Sequence, residues 1–462
     1  MVSREHELTS GTNLAGADLA VGRDNAFRVS RAMLLVFAWA ICAFAFFAPA
    51  VADDYPIVAD KALTKLLTEG GRLSPKLHPF DEREHVVWKL SSEAKPVSIP
   101  GEIQCVSVDW TDALNAQMPY LVYMPEKDRL LMLMERIEPA GRNALIHSDD
   151  HGKTWSKPRW FHVDASNTPD VGSVVGLTSL GAGKLMACSG DISADIHWFS
   201  SDYGEKWEQY VPPVVAAERY VWDPLLVLRD PGGRAERLVQ EYFGPIRPRV
   251  SQGYLRSSTD EGKTWTEGIP IPQWIGISEV NIIRAVKGDW VAACRTDNPK
   301  RFESPIVGKQ PPDGLQALDC YSGLGVSVSQ DEGKTWSDLK MLYEWGRHHP
   351  SMVLMPDGKI VMTYVVRLGY PHTADGFSQF GVEAVVSSDN GQTWDLDHRY
   401  VLAIWVGSIK GANAWYCGVQ STSTVLMPDG TILTAFGTGF RNRSETLMCN
   451  MDVAVVHWKL NP

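Results

Sequence analysis

Several residues of this chain have both the type and the setting for chemistry. His348 and His349 stand directly before Pro350 and an apolar strand pattern. Adjacent imidazoles there suit acid/base work or hydrogen bonding to a sugar; the bland alternative is one buried structural histidine beside an exposed one. Glu279 opens another apolar strand pattern and Arg295 closes its partner, which fits a site carboxylate beside a cation or a plain structural ion pair. Asp191 and Asp223 are further carboxylates near strand ends; each could supply a proton, and each could be an ordinary loop residue. Two carboxyls flanking a bond are the minimum for ordinary glycoside hydrolysis. Outside the apolar N-terminal run the cysteines are Cys105, Cys188, Cys294, Cys320, Cys417 and Cys449, with no C-x-x-C pair. No zinc or redox motif follows, and no metal or cofactor is called for. Cys294 with Cys320 and Cys417 with Cys449 are near enough in sequence for disulfides, with free buried thiols as the alternative.

The elements that must position these residues announce themselves as a repeat. Ser-x-Asp-x-Gly-x-Thr-Trp begins at Ser148, Ser200, Ser258, Ser329 and Ser387, with Lys206 in the Thr place of the second copy. Ser and Asp side chains hold a tight turn by bonding nearby backbone N–H groups, Gly admits a backbone angle that other residues resist, and Trp buries a large face. A calcium loop would need more oxygen ligands and a closing Glu, which none of the copies has. Ahead of each box runs an apolar strand, a turn and a second apolar strand, clearest around Pro356-Asp357-Gly358 and repeated around Pro428-Asp429-Gly430. Six such hairpins, five of them leading to a box, predict an all-β six-bladed propeller of four-stranded antiparallel blades. The sixth unit ends with Val453 to Leu460 and needs a strand from the N-terminal side, near Val86 to Leu90 or Ile103 to Asp109.

In such a propeller the first residues of the innermost strands, and the ends of the second strands, line the central mouth. That places Gln117, Trp222, Asp223, Glu279, His348 and His349 there, joined by Arg136, Asp191, Arg295 and Arg367. The set is polar, mixed in charge and includes an aromatic ring, so it suits a sugar better than an apolar ligand.

The boxes are Asp-box, or BNR, repeats, and about residues 100–460 resemble the sialidase superfamily. The resemblance implies an exo-glycosidase in which three arginines hold the substrate carboxylate, a Tyr paired with a Glu is the nucleophile, and an Asp is the acid/base. On matching positions Glu279 is the family's Glu, Arg295 its second arginine and Arg367 its third. Other positions depart. Gln117-Met118-Pro119 stands where the family has Arg-Ile-Pro, so Gln117 replaces the first arginine, with Arg136 and Arg142 nearby but off the family position. Gly141-Arg142-Asn143 stands where the acid/base Asp is expected, and Ser421 near the place of the tyrosine, whose nearest counterpart is Tyr416.

The 462 residues carry a formal net charge of -11, which argues against a nucleic-acid partner. Met33 to Ala52 is uncharged and apolar, follows Arg23, Arg28 and Arg31, and ends in Ala50-Val51-Ala52. This predicts a signal peptide, or an uncleaved membrane anchor, and an exported chain: periplasmic, secreted or surface-anchored. The expected organisation is a targeting segment over 1–52, an N-terminal extension over 53–100 that contributes a closing strand, and the propeller over 101–462. The expected function is a sialidase-like exo-glycoside hydrolase acting on an extracellular carbohydrate, an acidic sugar by preference. In it Arg295, Arg367, Arg136, His348, Asp223 and Gln117 bind substrate, Glu279 acts as base or nucleophile partner, and His349 or Asp191 donates the proton. The chain is expected to be a monomer and to meet a membrane only through an uncleaved N-terminal segment. The alternatives are a non-catalytic carbohydrate-binding propeller and a polysaccharide lyase.

Overall fold

The protein is described from a computed structural model, which covers residues 86–460 apart from 92–93, 108–114, 139–141, 162–172, 191–194, 213–218, 248–249, 297–321, 374–375, 408–420 and 442–449. Among these residues there is no helix, and so none long and apolar enough to cross a membrane. Six antiparallel sheets follow one another along the chain. Blade one is Asn115–Met124, Arg129–Glu138, Arg142–Ser148 and Arg159–Trp160; blade two is Val174–Gly181, Lys184–Ser189, His197–Ser200 and Glu208–Tyr210. Blade three is Leu226–Arg229, Ala235–Arg247, Val250–Ser258 and Ile269–Ile275; blade four is Ile277–Arg284, Trp290–Thr296, Gly323–Ser329 and Lys340–Tyr343. Blade five is Arg347–Leu354, Ile360–Val366, Gln379–Ser387 and Tyr400–Val406, and blade six is Thr422–Leu426, Ile432–Arg441 and Asn450–Trp458.

Blade six takes its fourth strand, Gly101–Cys105, from ahead of blade one, with Ile103 opposite Val456. This latch joins the two ends of the propeller and leaves no open edge where the ring closes. Val87–Lys89 and Val97–Ile99 do something else: they extend blade five outward, Trp88 lying opposite Val401.

The core is a set of wedges between neighbouring blades. One wedge packs Val382, Trp405, Phe436 and Trp458 between blades five and six; another packs Leu133, Leu177, Trp198 and Leu225 across blades one to three. Polar straps on the innermost strands add direction. Thr178 Oγ1 accepts the Leu225 N–H (2.9 Å), Asn281 Oδ1 that of Met352 (2.9 Å), Ser351 Oγ that of Thr424 (2.9 Å), and Ser423 Oγ that of Leu121 (2.8 Å). Each side chain thus answers an inner-strand amide of the next blade that no sheet partner can reach.

The boxes form as their residues dictate. In the first, Ser148 Oγ accepts the Gly152 N–H (2.7 Å), and Asp150 accepts the Thr154 N–H (2.9 Å) and hydroxyl (2.6 Å). The other four copies repeat the two amide bonds, and all but the second, which has Lys206 in the Thr place, repeat the hydroxyl bond. Two successive residues of each box are left-handed, as in His151 (φ 62°) and Gly152 (φ 84°). At Gly204 (φ 83°) glycine is required twice over, since a Cβ there would lie 2.6 Å from Leu131 Cδ2 of the preceding blade. Each box follows the third strand of its blade, so it lies at the end opposite to the one where the innermost strand begins. Cys188 and Cys294 are free thiols; the Cys294–Cys320 disulfide is therefore not made, and Cys417 with Cys449 lies outside the described residues.

Candidate functional site at the propeller mouth

The innermost strands do not enter the mouth as regular strands. The pairing register slips between Gln117 and Pro119, between Val175 and Thr178, between Ser278 and Val280, and between His348 and Ser351. Inside each slip one residue is left-handed: Met118 (φ 52°), Gly176 (φ 64°), Glu279 (φ 49°) and His349 (φ 50°). A bulge re-aims a side chain that a regular strand would send into a neighbouring blade. Non-glycine residues held this way cost about 1–3 kcal/mol each and persist where the surrounding structure imposes them.

Two of these bulges meet. Glu279 Oε1 accepts from Arg295 Nη1 at 2.7 Å, and Glu279 Oε2 lies 2.5 Å from His349 Nδ1. His349 Nε2 lies 3.3 Å from the same Arg295 nitrogen. A guanidinium has no acceptor, so Nε2 is the acceptor toward Arg295, and a ring proton sits on Nδ1, the nitrogen beside Glu279. Arg295 Nε donates to Ser322 Oγ (3.1 Å), and the His349 carbonyl accepts from Thr422 Oγ1 (2.9 Å), which ties blade five to blade six. Burial by itself would raise the Glu279 pKa; Arg295 and His349 outweigh it and hold the carboxyl down at about 2. Arg367 is fully buried behind them, its pKa lowered to about 9 by burial first and by the Arg295 charge second, with Glu279 acting in the other direction.

Asp223 faces this cluster from blade three. Its carboxyl accepts the Val280 N–H, and Oδ2 is buried without a partner. Burial, then the Glu279 charge, push its pKa well above the ordinary carboxylate value. Asp223, Glu279 and His349 wall one open cavity, together with Met118, Tyr120, Trp222, Ser421 and Thr422. Ser421 Oγ is likewise buried and unpartnered, as is Ser278 Oγ beside Glu279. Such orphaned polar atoms are rare in native structures and call for an explanation such as a bound polar group.

The sequence-predicted residues fall out as follows. Glu279, Arg295, His349, Arg367 and Asp223 come together. His348 is fully buried behind His349, ring centroids 4.6 Å apart, with no hydrogen-bond partner for either ring nitrogen among the described residues; burial drives its pKa well below the ordinary value, so it is neutral. Gln117 lies opposite Glu135 on blade one, while its neighbour Met118 forms the cavity wall. Glu135 occupies the register position that Arg295 holds in blade four, and binds Ser173 Oγ at 2.5 Å. Asn143 is a buried strap whose Oδ1 accepts the Val174 N–H at 3.1 Å. The Arg136 side chain, Asp191 and Tyr416 lie outside the described residues. Met118, Tyr120 and Thr422 were missed. The first two were hidden by the bulge, and Thr422 is one residue past the polar position singled out.

Residues 102–362 match the family model described as BNR repeat-like domain. The chain belongs to that BNR repeat-like family. A comparison with curated proteins gives no match. Among solved structures, a protein of unknown function from Dyadobacter fermentans superposes with a TM-score of 0.53 at 14% identity, covering 77% of this chain and 99% of the other. The phage phi92 endosialidase gives 0.52 at 12% identity, covering 80% and 71%, and the NanB sialidase of Streptococcus pneumoniae gives 0.50 at 13%, covering 78% and 71%. At these identities the likeness is one of fold: this BNR repeat-like chain has the six-bladed propeller of the sialidases, and function must be argued from the site itself.

Proposed function

We propose that this protein is an exported exo-glycoside hydrolase acting on an extracellular glycan that carries an acidic sugar. The observation that carries this is an ionised carboxylate, Glu279, held at the mouth by the half-buried Arg295, with the buried Arg367 close enough to feel both charges. Guanidiniums beside a site carboxylate are the kind of group that recognises a substrate carboxylate by charge-assisted hydrogen bonds. Glu279, ionised at any working pH, is suited to face the positive charge that develops at an anomeric carbon, as nucleophile or as electrostatic partner. His349 holds Glu279 in place. Trp222 and Tyr120 give the cavity ring surfaces for a sugar, and Ser421 and Thr422 give hydroxyls. Export is supported by the apolar run Met33 to Ala52 behind its arginines.

The test is turnover of a panel of fluorogenic glycosides, neutral and acidic, by the wild type and by Glu279→Gln. The expected result is release from an acidic glycoside by the wild type and a loss of about a thousandfold in the variant. Equal turnover by both removes Glu279 from the mechanism. Glycan binding without any turnover would instead identify a carbohydrate-binding propeller.

A further inference from the structure

We infer that Asp223, on blade three, is the residue that gives the leaving-group oxygen its proton. This rests on the hydrolase reading above and adds to it the acid that blade one, with Asn143 as a structural strap, does not supply.

The inference begins with the protons that the other groups have committed. Glu279 is held ionised, with one carboxyl oxygen bonded by Arg295 and the other 2.5 Å from His349 Nδ1. His349 has Nδ1 beside the Glu279 carboxylate and Nε2 beside Arg295, so both ring nitrogens face protein groups. His348 is buried behind it and is not part of the cavity wall. Asp223 is the remaining carboxyl on that wall. One of its oxygens is fixed by the Val280 N–H, and Oδ2 has no hydrogen-bond partner among the described residues. Its backbone is fixed as well: the carbonyl lies against Gly176 of blade two, so close that a Cβ there would come within 2.8 Å of it. The carboxyl itself has freedom, because the terminal torsion of an aspartate is broad, and a small rotation presents Oδ2 to the cavity.

The surroundings fit an acid. Met118, Trp222, Pro224 and Pro350 supply apolar wall around it, and the Glu279 carboxylate faces the same space. Both factors favour the protonated form, in the direction already noted. One carboxyl kept neutral beside one kept ionised is the division of labour that glycoside hydrolysis needs. In the step inferred, the bond from the anomeric carbon to the leaving oxygen breaks, its electron pair stays on that oxygen, and the oxygen takes the Asp223 proton. The positive charge left on the sugar faces Glu279. A water then adds to the anomeric carbon and its proton returns to the Asp223 carboxylate, so that one water is consumed and the enzyme is restored.

The experiment compares Asp223→Asn with the wild type on two glycosides of the same sugar, one with a nitrophenol leaving group and one with an alkyl alcohol. Expected is a loss of about 10³-fold on the alkyl glycoside and less than about tenfold on the nitrophenyl glycoside, whose leaving group needs no proton. The alkaline limb of the wild-type pH profile should vanish with it. A loss equal on both substrates, or no loss, overturns the assignment of Asp223 and leaves the hydrolase reading standing. A wild type that cleaves no glycoside overturns both. If Asp223→Asn does not fold, Asp223→Ser, which still accepts the Val280 N–H, is put through the same pair with the same expectations.

Discussion

The two ends of the propeller treat their polar groups in opposite ways. At the box end, Ser Oγ and Asp carboxylates are matched to N–H and hydroxyl donors within four residues, and the left-handed angles fall on a glycine and the residue before it. At the mouth, left-handed angles fall on Met118, Glu279 and His349, and Asp223, Ser278 and Ser421 keep buried atoms without partners. The Ser and Asp side chains of the boxes are therefore satisfied locally, whereas the mouth carries strain with hydrogen bonds unmade among the described residues. Unmade bonds cost stability in the free protein and are recovered when a ligand completes them. The comparison teaches where to look in a repeat protein: the conspicuous motif holds the fold, and the broken rules mark the site.

Substitutions at the two ends should separate activity from stability. The largest effect expected is that of Glu279→Gln on turnover, given above. Next is Arg295→Lys, which keeps a charge but loses the fork that reaches Glu279, His349 and Ser322 together. Its KM for an acidic glycoside should rise about 10–100-fold, the worth of a lost hydrogen bond to a charged group, as steady-state kinetics would show; an unchanged KM would take Arg295 out of substrate binding. At the box end, Gly204→Ala must place a Cβ against Leu131 at a positive φ. It should cost more than about 1 kcal/mol in denaturant titration while kcat per folded molecule stays at the wild-type value. A drop in kcat would mean that the two ends are coupled.

The sequence makes the box end legible because its chemistry is local: Ser, Asp and Gly within four residues write the whole turn. The blade count and the register of Arg295 and Glu279 follow from it. The mouth is less legible because its contacts are long-range. His349 reaches Glu279 from the next blade, and Asn281 reaches Met352 across 71 residues. The bulges leave no mark in the hydrophobic pattern, so alternation alone puts Gln117 in the mouth when Met118 is the residue on the wall. Asp223 was visible as a carboxylate near a strand start, but the rise in its pKa depends on a cavity to which five blades contribute.

The smallest effect expected is also the one that contrasts the ends most directly, because it uses the same residue type in both. Asp150 is held at a pKa of about 2, first by the Thr154 hydroxyl and then by the Thr154 amide. Its folded value is below its unfolded value of about 3.9, so the stabilisation it brings is present above pH 4 and is lost as the pH falls toward 2. Asp223 has the opposite sign. Its folded value is raised, so the unfolded chain gives up that proton first, and the protein loses stability as the pH climbs from about 4 through the folded value. Melting temperatures taken from pH 2 to pH 9 should therefore show Asp150→Asn flattening the acid side only and Asp223→Asn flattening the neutral-to-alkaline side only. Should both variants flatten the same side, Asp223 is ionised in the folded protein like a box aspartate, and the two ends do not differ in the way their hydrogen bonding implies.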